Sequence, residues 1–429
     1  MPSHDEPPSV RETRQEVRGW LAEAWDPALT VREWWARLAD SGWGCPHWPV
    51  EWSGRGLGYV EAAAVVDELA AAGVLSPPEG AGVSMGANVL FTYGTEEQKA
   101  RWLPALARGE EAWCQFFSEP GAGSDLASVQ TRAVRDGDQW IVNGQKVWNS
   151  GTLTADRGLL VARTDPDQPK HRGISFFIID VDQPGLDIRP IRQMNGRTEF
   201  NETFFTDAMV ADAARVGEVN GGFRVAMTTL TSERSAFAGG GEHRLKRVVA
   251  GPKGGNLERI VGDVMAEEPD DDMGGANTPP IHTPAALMAL AREHGRSADA
   301  TIRQRIAHVY AFSEALRFTG LRARAAAESG QPPGPESSVA YLGGVQVIRL
   351  YRDLSADIAG PAGLLTGPDA PHEGAVALTV VTAPCHGIQG GSEQIQRNII
   401  GEGILGLPKE PQVDRDIPFR DVLVSPARG

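Results

Sequence analysis

The apolar and polar positions of this chain fall into three stretches of different texture. From about residue 10 to 110 the pattern reads as helical. Positions 59–72 form an alanine-rich run closed by Gly73, and Thr95-Glu96-Glu97-Gln98 has the spacing of a capping box that opens another helix. From about 112 to 212 short β runs alternate with turn dipeptides. Asp136-Gly137 and Asn143-Gly144 are hairpin signals flanking Gln139-Trp140-Ile141-Val142, and further strands are predicted over 158–163, 174–181, 186–191 and 203–205. Strands this short and this closely spaced imply a small β-barrel or sandwich. After Gly217 the helical pattern returns over 223–237, 285–294, 301–328, 337–358 and 375–383, lengths that suit a bundle.

The predicted architecture is therefore α+β and multidomain: an N-terminal α-helical domain (1–111), a central β-barrel (112–216) and a C-terminal α-helical bundle (217–429). The bundle is interrupted at 251–280, where Glu267-Glu268-Pro269-Asp270-Asp271-Asp272, Gly274-Gly275 and Pro279-Pro280 give the composition of a mobile surface insertion. Trp20, Trp25, Trp34, Trp35, Trp43, Trp48 and Trp52 crowd the first domain and read as core and interface packing rather than a cofactor box.

Charge narrows the partners. Lys and Arg number 41 against 56 Asp and Glu, a formal net charge of −15 spread along the chain, which argues against a nucleic-acid or anionic-membrane surface. An anionic substrate then has to be held by a local basic site. Cys45, Cys114 and Cys385 lie far apart and match neither a disulfide framework nor a zinc spacing, as expected of buried thiols in a reducing compartment. The first residues lack the basic and apolar regions of a secretory signal, and no apolar run approaches the ~20 residues that span a bilayer. A cytoplasmic location is expected.

Candidate chemistry concentrates in Phe116-Phe117-Ser118-Glu119-Pro120-Gly121-Ala122-Gly123-Ser124-Asp125. Phe116 and Phe117 suit a strand, Pro120 ends it, and Gly121 and Gly123 are expected to take positive φ and bring the backbone close to a ligand. Backbone N–H groups and the hydroxyls of Ser118 and Ser124 would then face that ligand. Taken alone, such a turn is more often a solvated loop.

With three further motifs the chain, from about residue 30 to Pro408, resembles the acyl-CoA dehydrogenase family. Trp48-Pro49-Val50-Glu51-Trp52-Ser53-Gly54-Arg55-Gly56 is similar to the family's N-terminal loop, and 116–125 to its flavin signature. Asn143-Gly144-Gln145-Lys146-Val147-Trp148-Asn149-Ser150-Gly151 is similar to its second flavin motif. Gly391-Ser392-Glu393-Gln394-Ile395-Gln396-Arg397-Asn398, followed by Gly406-Leu407-Pro408, is similar to its C-terminal signature.

The resemblance implies FAD between barrel and bundle, with Phe117, Ser118, Trp148, Ser150, Ser392 and Gln394 at the cofactor. Trp148 flanks the isoalloxazine ring and Ser150 lies near flavin N5. It places Ser124, Gly391 and Arg234 at the acyl-CoA substrate, and Arg397 as a brace for the following helix. The implied reaction is α,β-dehydrogenation of an acyl thioester, with electrons passed to an electron-transfer flavoprotein. Many members carry the catalytic glutamate at the position of Gly390, which has no side chain to act as base. Others carry it on the first long helix of the bundle before an arginine, as in Ser232-Glu233-Arg234, so Glu233 is the implied base and the Gly390 N–H an implied donor to the thioester oxygen.

Two features depart from the family pattern. The arginine-phenylalanine-glycine stretch that reaches a neighbouring subunit's FAD pyrophosphate is missing in its usual form around Arg292-Glu293-His294-Gly295-Arg296, where Arg303 and Arg305 are alternatives to a solvated helix face. The neighbouring-subunit loop, with Gly360 and Gly363 at the cofactor, is altered to Gly360-Pro361-Ala362-Gly363. A homotetramer or dimer-based assembly is expected, a heterotetramer being the alternative. The rival activities are a flavin oxidase of the same fold, a noncatalytic partner subunit and a nitrogen-oxidising flavoenzyme. Gly239-Gly240-Gly241 reads either as an opening for a bulky acyl chain or as a flexible helix end.

Overall fold

Helix ends in the first hundred residues are set by their caps. The computed structural model describes residues 7–238, 245–267, 279–328, 336–367 and 369–422, without the side chains at 231–238, 324, 327, 328 and 336. It opens with α1 (Pro8–Ala24), α2 (Val31–Ser41), α3 (Tyr59–Ala71), α4 (Ala87–Tyr93) and α5 (Glu96–Ala107). Thr95 and Gln98 form the predicted capping box, and Thr30 with Glu33 forms another at α2. The tryptophans are core, as expected. Trp34 and Trp35 are fully buried, and their indole N–H groups donate to the carbonyls of Leu75 and Ser76 at 2.9 and 2.8 Å, so neither ring is buried with an unpaired donor.

The strands are β1 (Trp113–Phe116), β2 (Arg132–Asp136), β3 (Gln139–Ser150), β4 (Arg157–Arg163), β5 (Ile174–Asp180), β6 (Leu186–Ile191), β7 (Phe200–Ala211) and β8 (Arg215–Val216). Their order is β6-β7-β3-β2-β4-β5-β8, with β1 parallel to β4. The expected barrel is thus corrected to an open sheet. A barrel needs pairing at every seam, whereas β2 and β4 meet at the single pair Arg132 and Arg163, and the end strands β6 and β8 do not pair with each other. The two halves still share a core of Phe116, Trp140, Val142, Leu160, Phe177 and Phe205. Along β4, Leu160 and Ala162 enter this core while Leu159 and Val161 enter a second one with Leu90 and Leu103 of the first domain. Burial on both faces explains why β4 and β5 read as continuous apolar runs.

Gly137, at φ +62, makes the predicted hairpin between β2 and β3. Asn143-Gly144 does not turn the chain. Strand β3 runs on through it with a shift of register against β7, and Gly144 takes φ +154. A Cβ there would lie 2.4 Å from Thr131 Oγ1, so this glycine serves a close crossing of backbones. One edge of β4 pairs with β1 at Arg157–Leu160 and with β2 at Arg163, leaving segment 117–131 extruded from the sheet.

The remaining helices are α6 (Gly222–Ala238), α7 (Val261–Ala266), α8 (Pro284–Glu293), α9 (Ala300–Glu328), α10 (Glu336–Ala359), α11 (Ala375–Thr382) and α12 (Glu393–Asn398). Helix α6 packs against β5, α4 and α10, and its Val225 and Ala226 lie in the core shared by sheet and first domain. Leu287, Val309, Tyr351, Leu354 and Ile358 form the core of the bundle. Among the described residues no helix is long and apolar enough to cross a membrane.

The reading of 251–280 as a surface insertion is corrected for its first part. The N–H groups of Val31 and Arg32 donate to the carbonyls of Arg259 and Leu257, both at 2.9 Å, and Leu257, Val261 and Val264 are buried with Trp34 and Trp35. These bonds satisfy donors at the start of α2 that no helix can satisfy for itself. Residues 268–278 lie outside the described residues. Leu257→Ala is expected to lower stability by about 2–5 kcal/mol in chemical denaturation. A loss under about 0.5 kcal/mol, the surface value, would restore the reading of a loose insertion.

Candidate functional site

Segment 117–131 is pinned from beneath by a buried ion pair. Lys146 on β3 has no exposed surface; its Nζ donates to the Phe117 carbonyl at 2.9 Å and to Glu119 Oε1 at 2.8 Å. Glu119 also accepts from the N–H groups of Gln130 at 2.7 Å and Thr131 at 2.9 Å. One carboxylate therefore ties both ends of the segment together, and one ammonium ties it to the sheet. Burial pushes the Glu119 carboxyl up, but Lys146 and the hydrogen bonds outweigh it and hold the group below its ordinary 4.5. Burial pulls the Lys146 ammonium down, against Glu119, to below its ordinary value. The sequence reading missed this pair, whose only signal is Glu119 in the first motif and Lys146 in the second.

The turn itself closes with reciprocal 3.0 Å bonds between the backbones of Glu119 and Ala122. Gly121 and Gly123 do not take the expected positive φ. Nothing lies within 4 Å of where a Cβ on Gly123 would sit, so that glycine leaves open space above the backbone. Ser118 is half-buried and Ser124 exposed. Phe117 is buried, packed edge-on to Phe176 at 5.9 Å, so its role is to seat the turn on the core.

Directly after Lys146 the β3–β7 register shifts again, and Trp148 lies in this bulge at φ +63. A bulky residue in the left-handed region is strained. Its neighbours hold it there. The Val147 N–H donates to the Ser118 carbonyl at 2.9 Å, the fully buried Asn149 donates to the Gln115 carbonyl at 2.9 Å, and Asn201 donates to the Asn149 carbonyl at 3.0 Å. The indole, 57% exposed, meets Phe200 edge-on at 5.9 Å and offers a face to solvent, with Ser150 exposed beside it in sequence.

The C-terminal signature comes to the same turn. Ser124 Oγ donates to Ser392 Oγ at 3.2 Å, and Ser392 caps α12 by accepting from the Ile395 N–H at 3.4 Å. Gly390 and Gly391 take φ +67 and +102. Gln396 Nε2 donates to the Gly390 carbonyl at 3.3 Å while its Oε1 is buried without a partner. Tyr341 on α10 donates to the carbonyl of His386 at 2.7 Å and to that of Gln389. Glu393, nearly buried, pairs with Arg349 of α10 and, at 3.1 Å, with Arg397 one turn along its own helix. The Arg349 pairing holds the Glu393 carboxyl below its ordinary value. Gln394 is exposed.

Glu233 and Arg234 lie on α6 one turn beyond the fully buried Thr229; their side chains, and Gly239, Gly240 and Gly241, lie outside the described residues. Gly360 and Gly363 are in a single 3₁₀ turn following α10, where Gly363 packs against Val376. That turn lies about 27 Å along α10 from Tyr341, at the helical rise of ~1.5 Å per residue, so these glycines are not beside the glycine turn of their own chain. Arg305 is paired with Asp357 at 2.5 Å. An open indole face, an accessible hydroxyl-bearing turn and the unpartnered Gln396 oxygen fit a flat, hydrogen-bonding group such as FAD.

Comparison with known proteins accords with this layout. Models of the N-terminal, middle and C-terminal domains of acyl-CoA dehydrogenases match residues 9–110, 114–208 and 286–405. The chain is 37% identical over 396 residues to acyl-CoA dehydrogenase FadE34 of Mycobacterium tuberculosis, a match covering 92% of this chain and 49% of that protein, so it spans about half the length of that relative. It is 35% identical over 418 residues to acyl-CoA dehydrogenase IpdE1 of the same organism, covering 94% of this chain and 98% of that one. Among solved structures, the Tcur3481-Tcur3483 steroid ACAD superposes with a TM-score of 0.69 at 28% identity, over 95% of this chain and 99% of that one. The ChsE4-ChsE5 complex from Mycobacterium tuberculosis gives 0.65 at 29% identity over the same shares.

Lys146→Met is expected to destabilise the protein by about 3–5 kcal/mol and release FAD, because Glu119 is left buried and unpaired. Adding Glu119→Gln should recover part of both losses, measured by denaturation and retained flavin. Since the folded Glu119 value is depressed, its contribution is present above 4.5 and is lost as pH falls through the folded value, a dependence that Glu119→Gln removes. Strictly additive effects of the two substitutions would count against a coupled pair.

Proposed function

The chain belongs to the acyl-CoA dehydrogenase family, and from that premise we propose that it oxidises a bulky acyl-CoA thioester to the trans-2-enoyl-CoA, with an electron-transfer flavoprotein as acceptor. The observation that carries this reading is the meeting of Ser124 and Ser392, which sets the flavin turn against the 390–392 loop. A bulky acyl group is favoured because one structural relative is named as a steroid ACAD.

FAD, when bound, accepts the hydride that leaves the substrate β-carbon. Trp148 would hold its ring by stacking, Ser118 and Ser150 by hydrogen bonds, and Ser392 and Gln394 from the bundle side. Glu233 would take the α-proton at its carboxylate, desolvation by the bound acyl chain making it a stronger proton acceptor. The Gly390 N–H would donate to the thioester oxygen as negative charge develops there. Ser124, Gly391 and Arg234 would orient the thioester. Gly360 and Gly363, remote from the turn of their own chain, suit the FAD of a neighbouring subunit.

A heteromeric assembly is the second reading. Two of the solved relatives are named as pairs of different chains, and Tyr310, Phe318 and Leu321 leave apolar surface exposed on α9, as a subunit interface requires. A homotetramer uses the same surface.

Glu233→Gln is expected to keep FAD and bind acyl-CoA, yet to slow anaerobic flavin bleaching by acyl-CoA about 10²- to 10⁴-fold. Bleaching at full speed would remove Glu233 from the mechanism. Trp148→Ala should weaken flavin retention and change its spectrum. Oxygen consumption matching substrate turnover would replace the dehydrogenase by an oxidase, and flavin uptake only after mixing with a second protein would favour the heteromer.

A further inference from the structure

Beneath the bulge that presents Trp148, four polar side chains share the inner face of the β3–β7 pair. Lys146 stands opposite Thr203 and Asn149 opposite Asn201 in the strand register, and each of the four has at most 2% of its surface exposed. Directly paired residues of an antiparallel ladder point to one face, as do residues two apart along a strand. Phe205, two residues beyond Thr203, carries that face into the core, where Phe116 meets it edge-on at 5.2 Å. The end of β1 closes the cluster from the other side: the carbonyls of Gln115 and of the following Phe117 accept from Asn149 Nδ2 and Lys146 Nζ, both at 2.9 Å.

Hydrogen-bonding capacity in this cluster exceeds what its members supply to one another. An ammonium carries three protons, and Lys146 directs two of them to the Phe117 carbonyl and Glu119 Oε1, leaving one N–H without a partner among the described residues. Asn149 Oδ1, Asn201 Oδ1 and Thr203 Oγ1 are buried with no hydrogen-bond partner. The two amides cannot simply be reversed, because each nitrogen is fixed on a backbone carbonyl: that of Gln115 for Asn149, and that of Asn149 for Asn201 at 3.0 Å. Two donors, the Lys146 N–H and the Thr203 O–H, and two acceptors, the amide oxygens, are therefore unused in one enclosed place. Buried polar groups in native proteins are seldom left so.

We propose that an internal water molecule binds here, accepting from Lys146 and Thr203 and donating to Asn149 and Asn201, and that it braces the Trp148 bulge from below. Two lone pairs and two protons match the four groups, which is the coordination of a well-held buried water. A metal cation would find the oxygens but lie against an ammonium, and an anion would face two amide oxygens. Residues two apart along β7 stand about 7 Å from each other and the paired strands about 5 Å, so the centre of the patch is within reach of all four side chains. The water joins the residue before the bulge, Lys146, to the residue after it, Asn149. It thus acts where the backbone is strained, at the φ of +63 that turns the indole outward.

The test is diffraction from crystals of the FAD-loaded protein, at a resolution that shows ordered water, with and without a rubidium soak and repeated on Thr203→Val. A peak is expected at roughly 2.6–3.2 Å from Lys146 Nζ and from both amide oxygens, with no anomalous signal from rubidium. Thr203→Val keeps the shape of the side chain and removes its donor. It is expected to abolish the peak, weaken FAD retention by about twofold to tenfold, the effect of one hydrogen bond, and alter the flavin spectrum as the indole face moves. Thr203→Ser, which keeps the hydroxyl, should retain both the peak and the flavin. Chemical denaturation reports whether the variants fold; should Thr203→Val fail, the density of the unsubstituted protein and the behaviour of Thr203→Ser decide. The absence of a peak, a rubidium signal in its place, or FAD retention and spectrum unchanged in Thr203→Val overturns the proposal.

Discussion

An ammonium with no access to water must be surrounded by oxygen, and the oxygens that Lys146 finds are the Phe117 carbonyl and the Glu119 carboxylate. Desolvating each ion costs several kcal/mol, and the pair offsets this only while its geometry holds. That requirement fixes the path of segment 117–131, since Glu119 also receives the N–H groups of Gln130 and Thr131. It fixes the next strand as well: Val147 bonds the Ser118 carbonyl, and the bulge that follows turns Trp148 outward. The two flavin motifs, separate in sequence, are one object in space.

The strain at Trp148 is intelligible on the same footing. A left-handed tryptophan persists only if its neighbours over-determine it. Asn149, fully buried and bonded to Gln115 and Asn201, and Lys146 two residues before it leave the intervening backbone little freedom. An indole that packed inward would bury more apolar area. The exposed position therefore sacrifices stability for a presented face, which is the mark of a binding surface.

Local rules made much of this fold legible. The Thr95–Gln98 capping box and the strands β4 and β5 depend on residues close in sequence, and all stand where they were predicted. What sequence concealed is non-local. Asn143-Gly144 looks like a turn until Thr131 crosses above it, and the sheet's failure to close depends on which seam lacks a partner. Segment 245–267 shows the same limit more sharply: its acids and glycines look solvated, yet Val261 and Val264 complete the core around Trp34 and Trp35, chain neighbours only in space. At the site, the resemblance supplied Ser124 and Ser392 but not their mutual contact, and neither glycine of the flavin turn adopts the conformation for which its type seemed chosen.

The loop bearing Gly390 shows why a base there is dispensable. Gly390 and Gly391 are both left-handed, a conformation that costs a residue with a Cβ about 1–2 kcal/mol at each position. Tyr341, Gln396 and the Glu393–Arg349 pair hold that backbone in place from α10 and α12. The loop is thus built to present main chain rather than a side chain, and main chain suffices for an oxyanion donor but not for a base. Under the proposed reading the carboxylate comes from another rigid mount. Helix α6 is anchored in the core common to the sheet and the first domain and also packs on α10, the same helix that holds the Gly390 loop. The proposed base on α6 and donor in that loop would share one support, so that helix packing rather than loop conformation would set their separation.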